Sequence, residues 1–527
     1  GGGGGGSWEE GEKVGKERED DDNTFECTEK LGEERWEGDS SEGTEEKVRE
    51  MRAGGCTFEV TEEEVRREFR KVNPRKAAGP DRIKPFILKS CADQLAGIFC
   101  ILFNLSLSES TVPSPWKTSC IVPVPKKSSV ITMNDLRPVA LTSSVIKVFE
   151  KFVLRRLQVL VSDFLDPLQF AYRSKRNVED AVLYVLNRMY AHLDNTNTFI
   201  RLMFFDFSSA FNTMQCHLLV DKLLRMNVDA RTLMWIFDYL TNRPQFVRLS
   251  NNILSDVMYT NTGAPQGTVL SPFLFSLYTA DCRHAHDSCP IVKFADDTGL
   301  TGLITDDDDT HYRQEIDRFV EWCDENYLEL NVSKTKEMIV DFRKNRPVLD
   351  DIVIKGEVVE RANSYKYLGV VIDDKLTWKD NTDHIIKKVH SRLFCLRKLR
   401  AFNVQQELLQ MFYTSIVCSV VTFGMTCWGG NISGQDRNRL DKNIKKASGV
   451  VGRRQDDVET MYNRLVTNKL TGILADDAHP LRPEFDSRHI DRSGRFRVPK
   501  VRTTRYKHSF IPTAIQTHNQ LTSRSSR

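Results

Sequence analysis

Ile291-Val-Lys-Phe-Ala-Asp296-Asp297-Thr-Gly-Leu300 carries the strongest structural signal in this chain. Two adjacent aspartates separate two apolar runs of strand-like composition, which predicts that the acids occupy the tight turn of a β-hairpin. Aspartate is also common in turns for conformational reasons alone. The pair by itself therefore leaves both a functional role and a simple turn open.

A third acid follows another apolar run, Leu202-Met-Phe-Phe-Asp206. Asp206 ends a predicted strand, and a buried, unpaired carboxylate there would be costly, which favours a bound cation or an opening to solvent. Carboxylates suit hard cations such as Mg²⁺, and two such ions about 4 Å apart can activate an attacking hydroxyl and stabilise a leaving pyrophosphate. A helix-capping role for Asp206 is the alternative.

Between these acids lies Gly263-Ala-Pro265-Gln266-Gly267, followed by Ser271-Pro272. The glycines predict an exposed backbone loop, and Ser271 with Pro272 has the order of a helix cap and a first-turn residue. Such a loop can admit a nucleotide closely, or it can be only a turn. Its spacing alone supports both interpretations equally.

Strand and helix signals are mixed irregularly around these segments, which predicts an α+β fold and not a doubly wound sheet. Residues 1–55, rich in glycine and acid, are predicted to be disordered, and 456–527 to be loosely ordered because apolar periodicity is poor there. The other predicted helices are 145–164, 178–193, 214–226, 230–240, 272–279, 312–327 and most of 381–451, and the predicted strands are 120–122, 200–205, 246–249, 291–295, 300–304, 338–342 and 365–372.

The charge of this 527-residue chain is unevenly distributed. Residues 1–50 carry 18 acidic and 7 basic side chains, so the net charge of +2 leaves an excess of +13 on the remainder, which favours a polyanionic partner. The search for uninterrupted apolar runs predicts no membrane span, and no signal peptide is indicated. We therefore expect a nuclear or cytoplasmic protein that is not secreted, and twelve cysteines without a Cys-x-x-Cys pair are predicted to be reduced core thiols.

Taken in order, the three quoted segments resemble motifs A, B and C of the reverse transcriptases of LINE-type (non-LTR) retrotransposons. The resemblance covers about 57–450, and family-like segments such as Arg505-Tyr-Lys-His continue beyond it. Further segments that resemble motifs of this family are Lys76-Ala-Ala-Gly-Pro-Asp81, 116–127, Asn134-Asp-Leu-Arg137-Pro, Gln169-Phe-Ala-Tyr-Arg173, Leu328-Glu-Leu-Asn-Val-Ser-Lys334 and Tyr365-Lys-Tyr367-Leu368-Gly369.

This resemblance implies an RNA-directed DNA polymerase with the right-hand architecture of fingers, an antiparallel palm sheet and a helical thumb. It implies an N-terminal extension and fingers in 56–199, a palm with a primer-grip hairpin in 200–375, a thumb in 376–455 and a basic tail in 456–527. The implied cofactors are two Mg²⁺ ions, for which Mn²⁺ can substitute. The implied partners are an RNA template, a DNA primer and deoxynucleoside triphosphates, without a membrane.

The family's functional residues map onto positions of this chain. Asp206, Asp296 and Asp297 would be catalytic and bind metal, with the Phe207 carbonyl assisting. Phe211 would reject a 2′-hydroxyl, or it only packs against a neighbouring helix. The implied nucleotide contacts are Lys126, Arg137, Gln266, Gly267 and Lys334, and the implied primer contacts are Tyr367, Leu368 and Gly369. The residues implied to bind nucleic-acid phosphates are Lys387, Lys388, Arg392, Arg397 and Lys398. The alternative for these five cations is that they are only the solvated side of an amphipathic helix.

The chain departs from the family at Arg82, where a small or amide residue is usual, and this puts the local turn in question.

Residues 1–55 are not expected to fold as the endonuclease that complete LINE products carry, so we expect a polymerase-bearing portion of a mobile-element protein. A catalytically idle, RNA-binding remnant is the alternative function. An RNA-directed RNA polymerase is disfavoured by Phe211.

Overall fold

The computed structural model describes residues 58–126, 128–249, 253–490 and 494–525. The segment predicted to be disordered, residues 1–55, lies outside the described residues. The strands within the described part are β1 Ser119–Pro125, β2 Leu136–Leu141, β3 Thr198–Phe205, β4 Arg243–Val247, β5 Met258–Thr260, β6 Ile291–Phe294, β7 Asp297–Thr305, β8 Lys336–Val340, β9 Val353–Ile354, β10 Glu357–Val358, β11 Glu360–Arg361, β12 Ser364–Tyr367, β13 Val370–Asp373, β14 His489–Ile490 and β15 Arg495–Phe496.

Helices and strands are mixed along the chain, as expected for the α+β class. The helices are α1 Glu62–Arg70, α2 Pro85–Ser90, α3 Ala92–Ser108, α4 Ser114–Lys117, α5 Ser144–Leu160, α6 Val178–His192, α7 Ala210–Thr213, α8 Cys216–Arg225, α9 Ala230–Leu240, α10 Ser271–Tyr278, α11 Thr310–Glu325, α12 Lys379–Ala401, α13 Gln406–Phe412, α14 Ser419–Thr422, α15 Met425–Trp428, α16 Gly434–Val451, α17 Val458–Leu474, α18 Arg482–Asp486, α19 Thr504–Lys507 and α20 Phe510–Ser525.

A five-stranded sheet with the order β11-β8-β3-β7-β6 lies at the centre of the fold. Its neighbouring strands run antiparallel, apart from the short edge strand β11, which is parallel to β8. Every side chain of the middle strand β3 is buried. Because both faces of this strand are covered, its sequence is an almost continuous apolar run without the alternation of a half-exposed strand.

Each face of the central sheet packs against its own apolar core. Phe199, Met203 and Phe205 point into a core formed with α1, α3, α5 and α8–α11. The alternate residues of β3, Ile200 and Phe204 among them, point into a second core formed with α6, α12 and the C-terminal helices. The end of β3 is therefore held from both sides.

A second sheet, with the order β2-β1-β4-β5, combines two strands that precede β3 in the chain with two that follow it. β1 runs antiparallel to β2 and parallel to β4, and β4 runs antiparallel to β5. The β1–β2 hairpin carries Lys126 just after β1 and Arg137 within β2, and both side chains are exposed.

Two local signals at the N-terminal side have clear structural outcomes. Thr61 and Glu64 form a capping box at the start of α1, in which each side chain accepts a hydrogen bond from the other residue's backbone N–H. Arg82 adopts a left-handed backbone with φ of +57°, a conformation that only small or amide residues adopt readily. The turn is therefore made despite the arginine, and its Asp81 side chain bonds the Ser143 hydroxyl.

The prediction of a loosely ordered C-terminal tail is wrong for the part that the structure describes. α17 and α20 pack together, and Val466, Ile473 and Ile515 are almost completely buried in the second core. The buried residues of α17 follow the three- and four-residue spacing of one amphipathic stripe, so the sequence does carry the signal of this helix. They are Val458, Met461, Tyr462, Val466, Leu470 and Ile473.

One helical segment, Gln406–Trp428, is long and apolar enough to cross a membrane by length and composition alone. Serines, threonines and a glutamate interrupt its apolar residues, so the sequence contains no continuous apolar run there. The segment includes a π-helical turn at Tyr413–Cys418 and a break at Gly424, where φ is +59°. Its buried residues, Val417 and Trp428 among them, belong to the second core, and the core helix of a globular protein passes the same test.

Most predicted elements exist, and their ends differ by a few residues. α9 has the predicted bounds, whereas the predicted cap Ser271 is the first residue of α10, after Leu270. The Ser271 N–H donates to the Thr268 hydroxyl at 3.3 Å, so the side chain of Thr268, and not that of Ser271, accepts the first N–H of α10. The ten cysteines within the described part form no disulfide, and six of them are buried as predicted for core thiols, whereas Cys91 and Cys395 are exposed.

Candidate active site

The two adjacent aspartates occupy a tight turn between β6 and β7, as predicted. Phe294 pairs with Asp297, so Ala295 and Asp296 alone connect the two strands. Ala295 has a left-handed backbone with φ of +59°, which is unfavourable for a residue with a Cβ atom. Surrounding contacts must therefore hold this turn in place.

Asp206 lies opposite this turn because of the strand register. Phe205 of β3 pairs with Thr298 of β7, so the residues that follow and precede them, Asp206 and Asp297, face each other at the end of the sheet. The charge of Asp206 contributes to the raised pKa of both Asp296 and Asp297, which shows that its carboxylate lies close to theirs. The structure thus brings together the three acids that the sequence singled out.

Asp206 is half-buried, whereas Asp296 and Asp297 are exposed at the turn, and the three carboxylates repel one another. Desolvation by the surrounding protein, followed by the charges of Asp296 and Asp206, raises the pKa of Asp297 to about 6. Burial and the Asp206 charge likewise raise the pKa of Asp296. Both shifts have the direction expected when carboxylates of like charge lie close together in a desolvated site.

The donor atoms of this cluster fit a hard divalent cation. All are carboxylate oxygens, and Oδ2 of Asp206 is buried without a hydrogen-bond partner. Across the described ranges, no group of three or more His, Cys, Asp and Glu side chains is spaced as a finished metal site. Mg²⁺ commonly uses one or two carboxylates and completes its shell with water and substrate phosphates, so an open ligand set is compatible with this ion.

The segment after α11 fixes Asp206 from the other side. The Asn331 N–H donates to the Asp206 carbonyl at 2.8 Å, and the Asp206 N–H donates to the Thr335 hydroxyl at 3.3 Å. Lys334 places its Nζ 3.6 Å from Asp206 Oδ2 while its side chain stays 67% exposed. Phe207 bridges to Leu330. The predicted residue Lys334 therefore lies beside the acids and open to solvent.

Gln169 holds the strained turn, a role that the sequence analysis did not assign. Its buried side-chain amide donates to the Ala295 carbonyl at 3.2 Å and accepts from the Ala295 N–H at 3.1 Å. The same Oε1 also accepts from the Ala171 N–H at 3.0 Å. Its only sequence signal was its place in the quoted motif Gln169-Phe-Ala-Tyr-Arg173.

A hairpin of two tyrosines packs under the acids. The Tyr365 ring stacks on Phe204 at 4.1 Å, and Tyr367 is buried beside Gly299 of β7. Burial and the Asp297 charge raise the pKa of both tyrosines, which keeps their hydroxyls neutral. Asp297 and the residues of this hairpin together line a cavity of about 400 Å³.

The turn of this hairpin requires positive backbone angles. Leu368 and Gly369 have φ of +48° and +91°, the combination that a two-residue turn of type I′ uses. A side chain at Gly369 would meet the Phe423 ring at about 2.9 Å. The predicted primer-grip residues Tyr367, Leu368 and Gly369 thus form one tight turn next to the aspartates.

The glycine loop between the acids lies against the β1–β2 hairpin. The Ala140 N–H of β2 donates to the Gln266 carbonyl at 2.8 Å. Gly267 has φ of +113°, and a Cβ there would lie 2.9 Å from the Ala140 carbonyl oxygen, so only glycine fits. Gln266 is half-buried and Gly267 exposed. The loop and Arg137 are therefore parts of one surface, joined through β2.

Phe211 is half-buried and stacks on Phe275 of α10, with ring centres 4.5 Å apart. Its carbonyl accepts the Ala264 N–H at 2.8 Å, which ties the segment after Asp206 to the glycine loop. The packing role considered from the sequence is thus present. It leaves part of the ring accessible beside the loop.

The basic helix α12 combines buried leucines with cations on the outside. Leu393 and Leu396 are buried. The cations include three exposed side chains, Lys387, Arg397 and Lys398, and two half-buried ones, Lys388 and Arg392.

Lys366, on the tyrosine hairpin, adds a cation that the sequence analysis did not single out. Burial, Lys366 and Arg392 lower the pKa of Lys388, in that order. Burial and the nearby Lys388 and Lys366 also lower the pKa of His384. We call Lys366, His384, Lys388 and Arg392 the hairpin–helix cluster. Its mutual repulsion marks it as a surface suited to a polyanion.

Comparison with known proteins gives two family matches. Residues 124–372, which contain the three acids, the glycine loop and the tyrosine hairpin, match the family described as reverse transcriptase (RNA-dependent DNA polymerase). Residues 378–419, a short stretch that begins just before α12, match the family described as alkylated DNA repair protein alkB homolog 8, N-terminal.

Curated relatives come from insect mobile elements. The chain is 24% identical over 369 residues to a probable RNA-directed DNA polymerase from transposon BS of Drosophila melanogaster, covering 67% of this chain and 40% of the relative. It is 25% identical over 373 residues to the RNA-directed DNA polymerase from mobile element jockey of the same species, covering 68% and 40%. It is 26% identical over 333 residues to the jockey polymerase of Drosophila funebris, covering 61% and 36%. The chain therefore spans about two fifths of the length of these relatives.

Proposed function

We propose that the chain is an RNA-directed DNA polymerase of a non-LTR retrotransposon, because residues 124–372 match the reverse transcriptase family and the curated relatives are RNA-directed DNA polymerases of mobile elements. Its reaction would join a deoxynucleotide to a primer 3′-hydroxyl and release pyrophosphate. The proposed partners are an RNA template, a DNA primer and deoxynucleoside triphosphates, and the proposed location is the nucleus or the cytoplasm.

One observation carries this proposal: Asp206 faces Asp297 across the β3–β7 register while Asp296 occupies the adjoining turn. The pKa of Asp297, raised to about 6, indicates that this carboxylate is poorly compensated by the protein alone. A divalent cation would supply the missing charge. Two-metal nucleotidyl transfer uses such a carboxylate cluster.

We propose that Asp206, Asp296 and Asp297, with the Phe207 carbonyl, bind two Mg²⁺ ions, for which Mn²⁺ would substitute. When bound, such ions stabilise the charge on the attacking and leaving oxygens. The protein's own part is to hold the carboxylates in register through β3 and β7 and through the Gln169 amide. Lys334, 3.6 Å from Asp206 and exposed, would neutralise charge that develops on the pyrophosphate.

The proposed nucleotide site combines the β1–β2 hairpin and the glycine loop. Lys126 and Arg137 would bind the triphosphate, since a planar guanidinium matches phosphate oxygens. Gln266 and Gly267, which lie against β2 through Ala140, would contact the nucleotide. Phe211 would lie beneath the sugar and exclude a 2′-hydroxyl.

The proposed nucleic-acid surface runs from the tyrosine hairpin to α12. The turn Tyr367-Leu368-Gly369 would position the primer end beside the 400 Å³ cavity. The hairpin–helix cluster and the exposed cations Lys387, Arg397 and Lys398 would bind phosphates and release counterions. In this interpretation 56–199 form the N-terminal extension and fingers, 200–375 the palm and 376–455 the thumb of a right-hand polymerase.

The test is extension of a DNA primer on an RNA template by the purified chain with Mg²⁺ and deoxynucleotides. We expect incorporation by the wild type and at least about a hundred-fold loss in Asp296→Ala, because a lost ligand removes several kcal/mol of transition-state stabilisation. Asp317→Ala, an exposed helical aspartate of α11, is the matched control and should keep full activity. Salt-dependent RNA binding without incorporation under either metal would instead support a catalytically idle remnant.

A further inference from the structure

Glu150 of α5 is a completely buried carboxylate to which neither the sequence nor the proposed chemistry assigns a role. Within the described ranges no lysine or arginine forms an ion pair with it. A buried charge of this kind is strongly unfavourable unless hydrogen-bond donors surround it. Its retention in the core therefore calls for identifying the groups that donate to it.

Both oxygens of Glu150 are occupied by donors from other elements. Oε1 accepts the Tyr239 hydroxyl of α9 at 2.9 Å. Oε2 accepts the two consecutive backbone N–H groups of Val269 and Leu270, the latter at 3.1 Å. These N–H groups immediately precede α10, where a negative charge is also favoured by the helix dipole.

The bonds to Val269 and Leu270 fix the end of the glycine loop that also carries Gln266 and Gly267. On its other side, the loop is held by the Ala140 N–H, which donates to the Gln266 carbonyl at 2.8 Å. Between these two attachments lie the side chain and the exposed backbone proposed to contact the nucleotide. Losing either attachment would allow this short segment to move.

We infer that Glu150 is a positioning residue that clamps the glycine loop in the conformation that contacts the incoming nucleotide. The identity of the bound molecule as a nucleotide rests on the proposed function, whereas the clamp itself rests only on the contacts of Glu150. Burial, the largest effect, raises the pKa of Glu150, and the hydrogen bonds from Val269, Tyr239 and Leu270 act in the opposite direction.

The first experiment compares Glu150→Gln and Glu150→Ala with wild type in primer extension. Glutamine keeps one acceptor and the shape, whereas alanine leaves both loop N–H groups unpaired. We expect KM for the deoxynucleotide to rise about ten-fold in Glu150→Ala, the equivalent of one lost charge-assisted hydrogen bond, and less in Glu150→Gln. Affinity for the primer–template should stay unchanged in both.

The matched control is Ser106→Ala, which breaks buried hydrogen bonds of the same core that involve neither Glu150 nor the glycine loop. The Ser106 hydroxyl accepts from Trp235 Nε1 at 3.1 Å, and Trp235 stacks on Tyr239. This variant should lose thermal stability and keep the wild-type KM. An equal rise of KM in Ser106→Ala and Glu150→Ala would reduce Glu150 to a general stabiliser of the core and overturn the inference.

Amide hydrogen exchange tests the clamp without any activity. We expect the Val269 and Leu270 amides to exchange about ten-fold faster in Glu150→Ala than in wild type, and those inside α9 to be unchanged. Unchanged protection of the loop would overturn the clamp. A wild type that fails to extend primers would overturn the proposed function and the nucleotide part of the inference, while the exchange experiment would still decide the clamp.

Discussion

Asp206 and Asp297 face each other across the end of the central sheet because Phe205 pairs with Thr298 in the antiparallel β3–β7 register. The relationship depends on every pair of that ladder, since a shift by one residue would turn the side chains to the opposite face of the sheet. The geometry of the candidate metal site is therefore a property of the whole sheet.

Magnesium binding is expected to depend on pH with a midpoint near 6. Burial and the neighbouring charges raise the pKa of Asp297 to about 6, so the stability that its protonation contributes is complete below the unfolded pKa of about 4 and is lost as pH rises through 6. Mg²⁺ requires the ionised form. Thermal unfolding with and without Mg²⁺ should show a small stabilisation at about pH 5 and a larger one at about pH 7.5.

Asp297→Asn is the control for this titration. The variant should be more stable than wild type without metal at neutral pH, and its response to Mg²⁺ should be weak at every pH. Equal stabilisation of the wild type by Mg²⁺ at both pH values would contradict the prediction.

Gln169→Ala should lower kcat with little change in the nucleotide KM. The substitution removes both hydrogen bonds that hold Ala295 in its left-handed conformation, so Asp296 would lose its orientation, and we expect about a ten- to hundred-fold loss. Steady-state kinetics measure the effect.

Asn104→Ala is a matched control for Gln169, because the Asn104 amide makes the same two-point contact with the backbone of Val60, at 2.8 and 2.9 Å, in another part of the fold. It should destabilise the protein and leave kcat unchanged. Similar losses of kcat in both variants would show that Gln169 has no special relation to the turn.

Removing charges of the hairpin–helix cluster should weaken nucleic-acid binding uniformly across sequences. Lys366→Gln and Lys388→Gln should each lower the slope of log Kd against log salt by about one, the value for one lost phosphate contact. Fluorescence anisotropy of a labelled primer–template over a salt series measures this slope. Lys355→Gln, which removes a lysine paired with Asp324, should leave it unaltered, and an unaltered slope in all three variants would exclude the cluster from the binding surface.

Phe211→Val should relax the discrimination against ribonucleotides. A smaller side chain leaves room for a 2′-hydroxyl, so the ratio of kcat/KM for deoxy- and ribonucleotides should fall by about ten-fold or more, the equivalent of a removed steric clash. Phe275→Leu breaks the same ring stack from the other side. It should lose stability alone, and a fall of the ratio in Phe275→Leu equal to that in Phe211→Val would assign discrimination to packing of α10.

Much of the fold was predictable because its signals are local. The capping box at Thr61, the strand before Asp206 and the turn at Asp296 are each encoded by neighbouring residues, and the structure has all three. The expectation for the tail was wrong although a local signal exists there too. The apolar residues of α17 recur at helical spacing, from Val458 to Ile473, and the structure buries them in the second core.

Local sequence thus specified which segments are strands, turns and helices, and the order of motifs specified which side chains are candidates for chemistry. Tertiary packing alone decided that Glu150 bonds the loop at Val269, that Gln169 bonds Ala295, and that Lys366 lies close to Lys388. The reason is physical: the neighbouring sequence does not distinguish a glutamate or glutamine that is exposed to water from one that is buried in a core. Its partners are set by which surfaces meet when distant elements pack, and no short stretch of chain contains that information.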